Sequence, residues 1–202
     1  SGNDSKKSEN GAIHFHFFVA FFFQMRYPET KNGGEYENMT QQQYEKWSYV
    51  FRKEEKRIRF LNRADRMITA CVFLSYPGLL LYLFGTKRFF ELFFCAAIPA
   101  VSFAAVSAFR AVYSAKRPYE VLDIQPLIKK ETEGKSFPSR HVFSVFIIGM
   151  SFFYIAEPMG IAAFVSGTAL AYLRVVGGVH FPKDVAAGAL FGILCGLPYL
   201  FL

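Results

Sequence analysis

Two histidines, one aspartate and four arginines carry the chemistry that this sequence can do. His180 and Asp184 lie four residues apart with Pro182 between them. Proline suits the first position of a helix, which places Asp184 in that helix's first turn. Its carboxylate can then accept from one imidazole nitrogen, fix the tautomer and leave the other nitrogen free to attack. Gly177 and Gly178 supply the slack for a sharp turn just before His180. His141 is the second candidate: it can protonate a leaving oxygen, and a positioned general acid is worth roughly 10²–10⁴ in rate. Ser139 precedes an apolar run and makes a good helix cap, so that helix start offers free backbone N–H groups and a positive dipole end to an anion. Arg110, Arg117, Arg140 and Arg174 complete the set. Guanidinium groups match phosphate oxygens with planar forked donors. Four of them together repel one another unless a multivalent anion sits between them. The set suits phosphate without Mg²⁺.

These residues can meet only if the chain folds back on itself several times, and the hydropathy pattern provides for that. The chain has 202 residues, of which 52% are apolar and 18% aromatic, with 25 Phe. The first third is polar and the rest mostly apolar, so the formal charge of +7 belongs to tails and loops. Five apolar runs span 67–85, 89–109, 142–156, 160–173 and 185–202. Glu91 is the one charge within the second run. A charge at mid-bilayer costs about 2.5–3.5 kcal/mol, so runs this free of charge read as membrane helices. The expected fold is all-α: a multi-pass bundle of five or six transmembrane helices. Pro158 and Gly160 make the tight turn between the third and fourth runs. Successive turns alternate sides, so the segment before 67, the loop 111–140 and the loop 174–184 share one face of the bilayer, and all the polar candidates share it with them.

The N-terminal part has a different character. Residues 1–38 are expected to be disordered or non-native, with a natural start at Met39; within them, the run 12–23 is too short to span, since a membrane helix needs about 20 residues. His14 and His16 there make a poor metal site without further ligands. Residues 39–66 are expected to form an amphipathic helix with a stripe of Trp47, Val50, Phe51, Ile58 and Leu61, lying on the membrane surface or packed on the bundle. Residues 67–202 form the transmembrane domain. Cys71, Cys95 and Cys195 all lie in apolar runs and form no CxxC pair, so no disulfide, metal or catalytic role is assigned to them. The basic balance is read as contact with a phospholipid bilayer and an anionic substrate, not nucleic acid, because the basic residues flank apolar runs and no zinc-finger or RNA-binding signature is present.

Any one arginine at a membrane-helix end serves as a headgroup anchor, and any one histidine as a structural residue. Their joint spacing is more specific. It resembles the three-part signature of the type-2 phosphatidic acid phosphatase superfamily, which also includes the vanadium haloperoxidases: Lys-x6-Arg-Pro, then Pro-Ser-Gly-His, then Ser-Arg-x5-His-x3-Asp. Arg110-x6-Arg117-Pro118 resembles the first part with Arg for Lys. Pro138-Ser139-Arg140-His141 resembles the second with Arg for Gly, and Leu173-Arg174-x5-His180-x3-Asp184 the third with Leu for Ser.

The resemblance implies roles for each residue. His180 takes the phosphoryl group, Asp184 orients it, and His141 protonates the leaving group and then activates water. Arg110, Arg117, Ser139, Arg140 and Arg174 hold the phosphate oxygens, with no metal and no cofactor. Arg110 keeps the charge of the Lys it replaces but is longer; Arg140 adds a charge that fits a diphosphate; Leu173 removes a hydrogen-bond donor. The implied activity is dephosphorylation of a membrane lipid phosphate or diphosphate, of the phosphatidic acid, phosphatidylglycerol phosphate or undecaprenyl diphosphate type. The alternatives are phosphotransfer to another acceptor at the same site and an inactive relative that only binds phospholipid. The loop 119–137, with Tyr119, Leu122, Ile124 and Leu127, is expected to shape headgroup choice. Eight Lys/Arg between 41 and 66 favour a cytoplasmic site by the positive-inside rule, whereas bacterial relatives of the family commonly place it outside.

Overall fold

The computed structural model describes residues 39–129 and 132–202, and these are helical with no strand among them. The expectations for residues 1–38 lie outside the described residues.

Helix α1 (Gln41–Arg52) begins at a reciprocal cap. Thr40 Oγ1 accepts from the Gln43 N–H at 3.3 Å, and Gln43 Oε1 accepts from the Thr40 N–H at 3.0 Å. The backbone then extends at Glu54 (φ −142°, ψ 131°) before α2 (Glu55–Gly85) starts. The single amphipathic helix expected over 39–66 is therefore divided, and its second half runs without interruption into the first apolar segment. With 31 residues at a rise of about 1.5 Å, α2 is roughly 46 Å long. That exceeds a hydrocarbon core of about 30 Å, so its charged start can stand outside the apolar zone. The stripe differs too. Trp47 and Val50 stay about half exposed, while α1 buries Tyr44 and Ser48. Tyr44 seats against Gly178, where a Cβ would lie 2.6 Å from the phenol oxygen. Burial raises the Tyr44 phenol above its ordinary pKa, against the opposing pull of the Arg52 guanidinium.

The remaining elements are α3 (Phe89–Tyr113), a short α4 (Pro118–Val121), α5 (Arg140–Ile155), α6 (Glu157–Val176) and α7 (Pro182–Gly196), which closes in a 3₁₀ turn, Leu197–Phe201. Among the described residues, four segments are long and apolar enough to cross a membrane: Glu55–Gly85, Phe89–Val121, Glu157–Val176 and Pro182–Phe201. The run expected as a fifth span, 142–156, is α5, and its 16 residues fall short of that length. The reason is its place in the bundle. Eleven of its residues are buried, and it packs chiefly on α6 and α7. It meets protein more than lipid, so the hydrocarbon thickness does not set its length. The outward residues of the other helices, such as Leu74, Leu81, Phe93, Val101 and Val165, are apolar and exposed, a surface that needs lipid around it. The turn between α5 and α6 also differs from expectation. Ala156 alone makes it, in extended conformation, and Pro158 belongs to the first turn of α6.

One seam positions the site. Gly188, Gly192 and Gly196 recur every four residues along α7 and face α5. A Cβ on Gly188 would lie 2.7 Å from the Ser139 carbonyl oxygen, and one on Gly192 would lie 2.6 Å from the Phe146 Cβ. Glycines at this spacing let two membrane helices approach backbone to backbone. At the end of the seam the Ser139 N–H donates to the Asp184 carbonyl at 2.8 Å, so the starts of α5 and α7 are locked together. Gly192→Leu is expected to force this seam open and destabilise the protein by about 1–3 kcal/mol, the usual cost of overpacking. Gly78→Ala, at a position with open space around it, is the control. Thermal unfolding in detergent micelles measures both, and equal melting of the two variants would contradict the seam.

Candidate active site

All the expected site residues sit at one end of the bundle: Arg110 in the last turn of α3, Ser139 to His141 at the start of α5, Arg174 in the last turn of α6, and Asp184 in the first turn of α7. Arg110 and Arg117 are buried and shape the loop before α5. Arg110 donates to the carbonyls of Lys135 and Pro138, and to that of Ser136 at 3.2 Å. Arg117 donates from Nε to Gly134 O at 3.0 Å, from Nη2 to Lys135 O at 3.3 Å, and from Nη1 to Val179 O at 3.0 Å. The loop takes a left-handed turn at Gly134 and Lys135 (φ 61° and 53°), which turns their carbonyls toward the two guanidiniums. Glu120 holds the turn from the other side, accepting from the Arg117 N–H at 2.7 Å and the Gly134 N–H at 2.9 Å. A guanidinium has five donors, so these contacts leave both arginines with N–H groups for another acceptor.

The loop so held delivers Ser136, a residue that no motif singled out. Its hydroxyl donates to Asp184 Oδ2 at 2.5 Å and lies 3.3 Å from His180 Nδ1. Asp184 Oδ2 also accepts from the Phe181 N–H at 2.9 Å, and its distance to His180 Nδ1 is 3.6 Å. The direct carboxylate–imidazole bond expected from the four-residue spacing is thus replaced, at this distance, by a serine bridge. A serine hydroxyl has one proton. With that proton given to Asp184, only lone pairs face His180, so Nδ1 carries its own proton and donates to Ser136. Nε2 is then the unprotonated nitrogen of the ring. His180, Asp184 and Ser136 are all buried, which holds this relay away from bulk water. No spacing rule reveals Ser136; its position two residues before Pro138 was the one available hint.

Two cavities meet at His141. The smaller, about 300 Å³, is lined by Arg110, Arg117, Arg140, Lys135, His141 and His180 among others. The two imidazoles expected to flank one phosphorus atom therefore share a cavity, with three of the four expected arginines. Arg140 is exposed, with its guanidinium 5.7 Å from the Phe103 ring centroid. The larger cavity, about 880 Å³, lies on the α2 side and is lined by His141, Arg174 and Asp65, with Arg59, Arg63, Arg66 and Lys129. Arg174 thus departs from expectation: it lines this second cavity, with its guanidinium engaged by Asp65 at 2.6 Å and 3.0 Å. Ser139 also departs. It occupies the cap position of α5, yet its hydroxyl makes no capping bond and is buried without a hydrogen-bond partner among the described residues.

Fold and site together define a class. Residues 88–201 match the model of the PAP2 superfamily, more than half of the chain, and the protein belongs to that superfamily. It is a multi-pass membrane protein. Among curated relatives, the bacitracin transport permease protein BcrC of Bacillus licheniformis is 38% identical over 88 residues, a stretch that covers 43% of this chain and 43% of that relative's length. Two crystal structures share the fold. One is LpxE of Aquifex aeolicus, at a TM-score of 0.60 and 23% identity over 78% of this chain and 94% of that one. The other is a transmembrane PAP2-type phosphatidylglycerolphosphate phosphatase from Bacillus subtilis, at 0.55 and 21% over 93% and 92%.

Removal of the serine bridge has a direct spectroscopic consequence. In Ser136→Ala the Nδ1 proton loses its acceptor, and His180 is expected to populate both tautomers. Nitrogen-15 chemical shifts of selectively labelled histidine read this out; an unchanged single tautomer would contradict the bridge.

Proposed function

We propose that the protein removes phosphate from a membrane lipid phosphate or diphosphate through a phosphohistidine, without a metal ion. The observation that carries this reading is the relay from His180 Nδ1 through Ser136 to Asp184, beside a cavity that His180 shares with His141 and three arginines. The relay prepares a nucleophile, the arginines attract the anion, and the second imidazole supplies the proton.

In the first half-reaction His180 Nε2 attacks phosphorus and the bond to the leaving oxygen breaks. His141 gives that oxygen its proton, and the phosphoryl group rests on Nε2. The developing imidazolium charge is offset by Asp184 through Ser136. In the second half-reaction His141 takes a proton from water, the water oxygen attacks phosphorus, and the P–N bond breaks to release phosphate. Arg110 and Arg117 keep donors for the equatorial oxygens beyond those spent on the loop, and Arg140 adds charge at the cavity wall. Preorganised donors of this kind contribute most where charge develops in the transition state. Arg174 reaches the same phosphate from the second cavity, and the Ser139 hydroxyl and the N–H groups at the start of α5 complete the cradle. Membership of the PAP2 superfamily and the likeness to a transmembrane PAP2-type phosphatidylglycerolphosphate phosphatase support a phosphorylated lipid as substrate; lipid enters from the bilayer that surrounds the apolar faces.

Phosphate release from phosphatidic acid, phosphatidylglycerol phosphate and undecaprenyl diphosphate in mixed micelles tests the reading. Wild type is expected to hydrolyse at least one of them with EDTA present, and His180→Ala none. Activity lost to EDTA and restored by Mg²⁺ would refute the metal-free mechanism. A second measurement concerns His141→Ala: turnover is expected to fall by roughly 10²–10⁴ for alcohol leaving groups and less for better ones. Equal slowing for all substrates would contradict its role as the acid.

A further inference from the structure

We infer that Asp65 is a positioning residue for phosphoryl transfer, acting through Arg174; the inference rests on the reading of Arg174 as a phosphate ligand. Asp65 lies on α2, outside residues 88–201 that match the family, and belongs to none of the three motifs. It is nonetheless buried, as is Arg174, at 6% and 5% exposure, and the two are 109 residues apart in sequence. A buried carboxylate on a helix of a membrane protein calls for an explanation, because burying an ion is costly unless it is paired.

The geometry of the pair supplies one. Nη2 donates to Oδ2 at 3.0 Å, and Oδ1 lies 2.6 Å from Nε as an ion-pair contact without hydrogen-bond alignment. This is a side-on grip that uses the inner edge of the guanidinium. Five N–H donors lie in one rigid plane; on the inner edge Nη2 donates one to the carboxylate and Nε faces it as an ion pair. The outer edge, formed by Nη1 and the second Nη2 hydrogen, stays available to a second anion. One arginine can therefore hold a carboxylate on one edge and a phosphate on the other, and the carboxylate sets the plane in which the phosphate is met. Asp65, Arg174 and His141 line the same cavity, so the plane is set beside the proposed acid. The carboxylate also offsets the charge of a fourth guanidinium close to the three in the neighbouring cavity.

These two effects act differently on binding and on turnover. Loss of the carboxylate charge strengthens attraction for any anion, while loss of the fixed plane weakens the aligned contact. In ground-state binding the two offset each other. The transition state depends on alignment and loses.

The test is a double-mutant cycle on the purified full chain in mixed micelles, with whichever of phosphatidic acid, phosphatidylglycerol phosphate and undecaprenyl diphosphate wild type hydrolyses fastest. Asp65→Asn is expected to lower kcat by about tenfold to a hundredfold, the range for a misplaced reacting group, with KM within about threefold. Asp65→Glu keeps the carboxylate and is expected to recover to within about fivefold of wild type. On an Arg174→Lys background, where no planar fork remains to be held, Asp65→Asn is expected to add less than about twofold. Three results would each overturn the role of Asp65: an Asn variant within twofold of wild type, a Glu variant as slow as Asn, or a full further loss on the Arg174→Lys background. A wild-type protein that releases no phosphate from any of the three lipids would overturn the functional reading itself, and this inference with it.

Discussion

The backbone contact between α5 and α7 is the constraint on which the site depends. Three glycines at four-residue spacing remove the side chains that would hold the helices apart, and the Ser139 N–H then reaches the Asp184 carbonyl at 2.8 Å. That bond sets the starts of two helices side by side. One start carries His141; the other carries Asp184, with His180 just before it. A wider seam would separate the two imidazoles and draw Asp184 away from Ser136. Interiors pack densely and transmit such displacements, so the chemistry at the mouth is tied to glycines well inside the bundle.

Charge burial is handled by a division of labour among the arginines. Arg110 and Arg117 spend donors on the carbonyls of the 134–138 loop and on Val179 O, so they build the site before they can bind anything. Arg174 is held by a carboxylate from another helix. Arg140 stays exposed with its charge over an aromatic ring. Carbonyls, a carboxylate and an aromatic ring thus offset the cations, and an unpaired ion in apolar surroundings is far more costly than in water. Arg110 and Arg117 share the Lys135 carbonyl and otherwise use separate acceptors. The same acceptors leave part of each donor fork unspent.

The long α2 joins the membrane zone to the site. Its first turns carry Arg59, Arg63 and Arg66 along the larger cavity, Asp65 reaches inward to Arg174, and Leu61 packs with Leu127, Ile128 and Val179. Tyr44 of α1 adds a second brace at Gly178, two residues before His180. Segments that read as a helix lying on the membrane surface or packed on the bundle thus act as supports for the turn that carries His180. Their charge helped to hide this, because a helix with eight Lys/Arg and one buried Asp looks like a solvated element.

Composition and spacing alone determined the all-helical membrane architecture, the order of the apolar helices, the single face shared by the polar clusters and the residues that carry the family signature. Those features depend on local properties: hydrophobic run length, charge-free segments and fixed intervals along one chain. Tertiary structure decided the rest. It placed α5 inside the bundle, where lipid does not dictate its length, and it divided the N-terminal helix at Glu54. It put Ser136 between His180 and Asp184, turned Arg110 and Arg117 toward a loop, and paired Arg174 with Asp65. None of these has a sequence period or a fixed spacing, because each depends on which side chains meet when distant helices pack, and a hydrogen bond of 2.5 Å between residues 136 and 184 leaves no trace in the order of the residues between them.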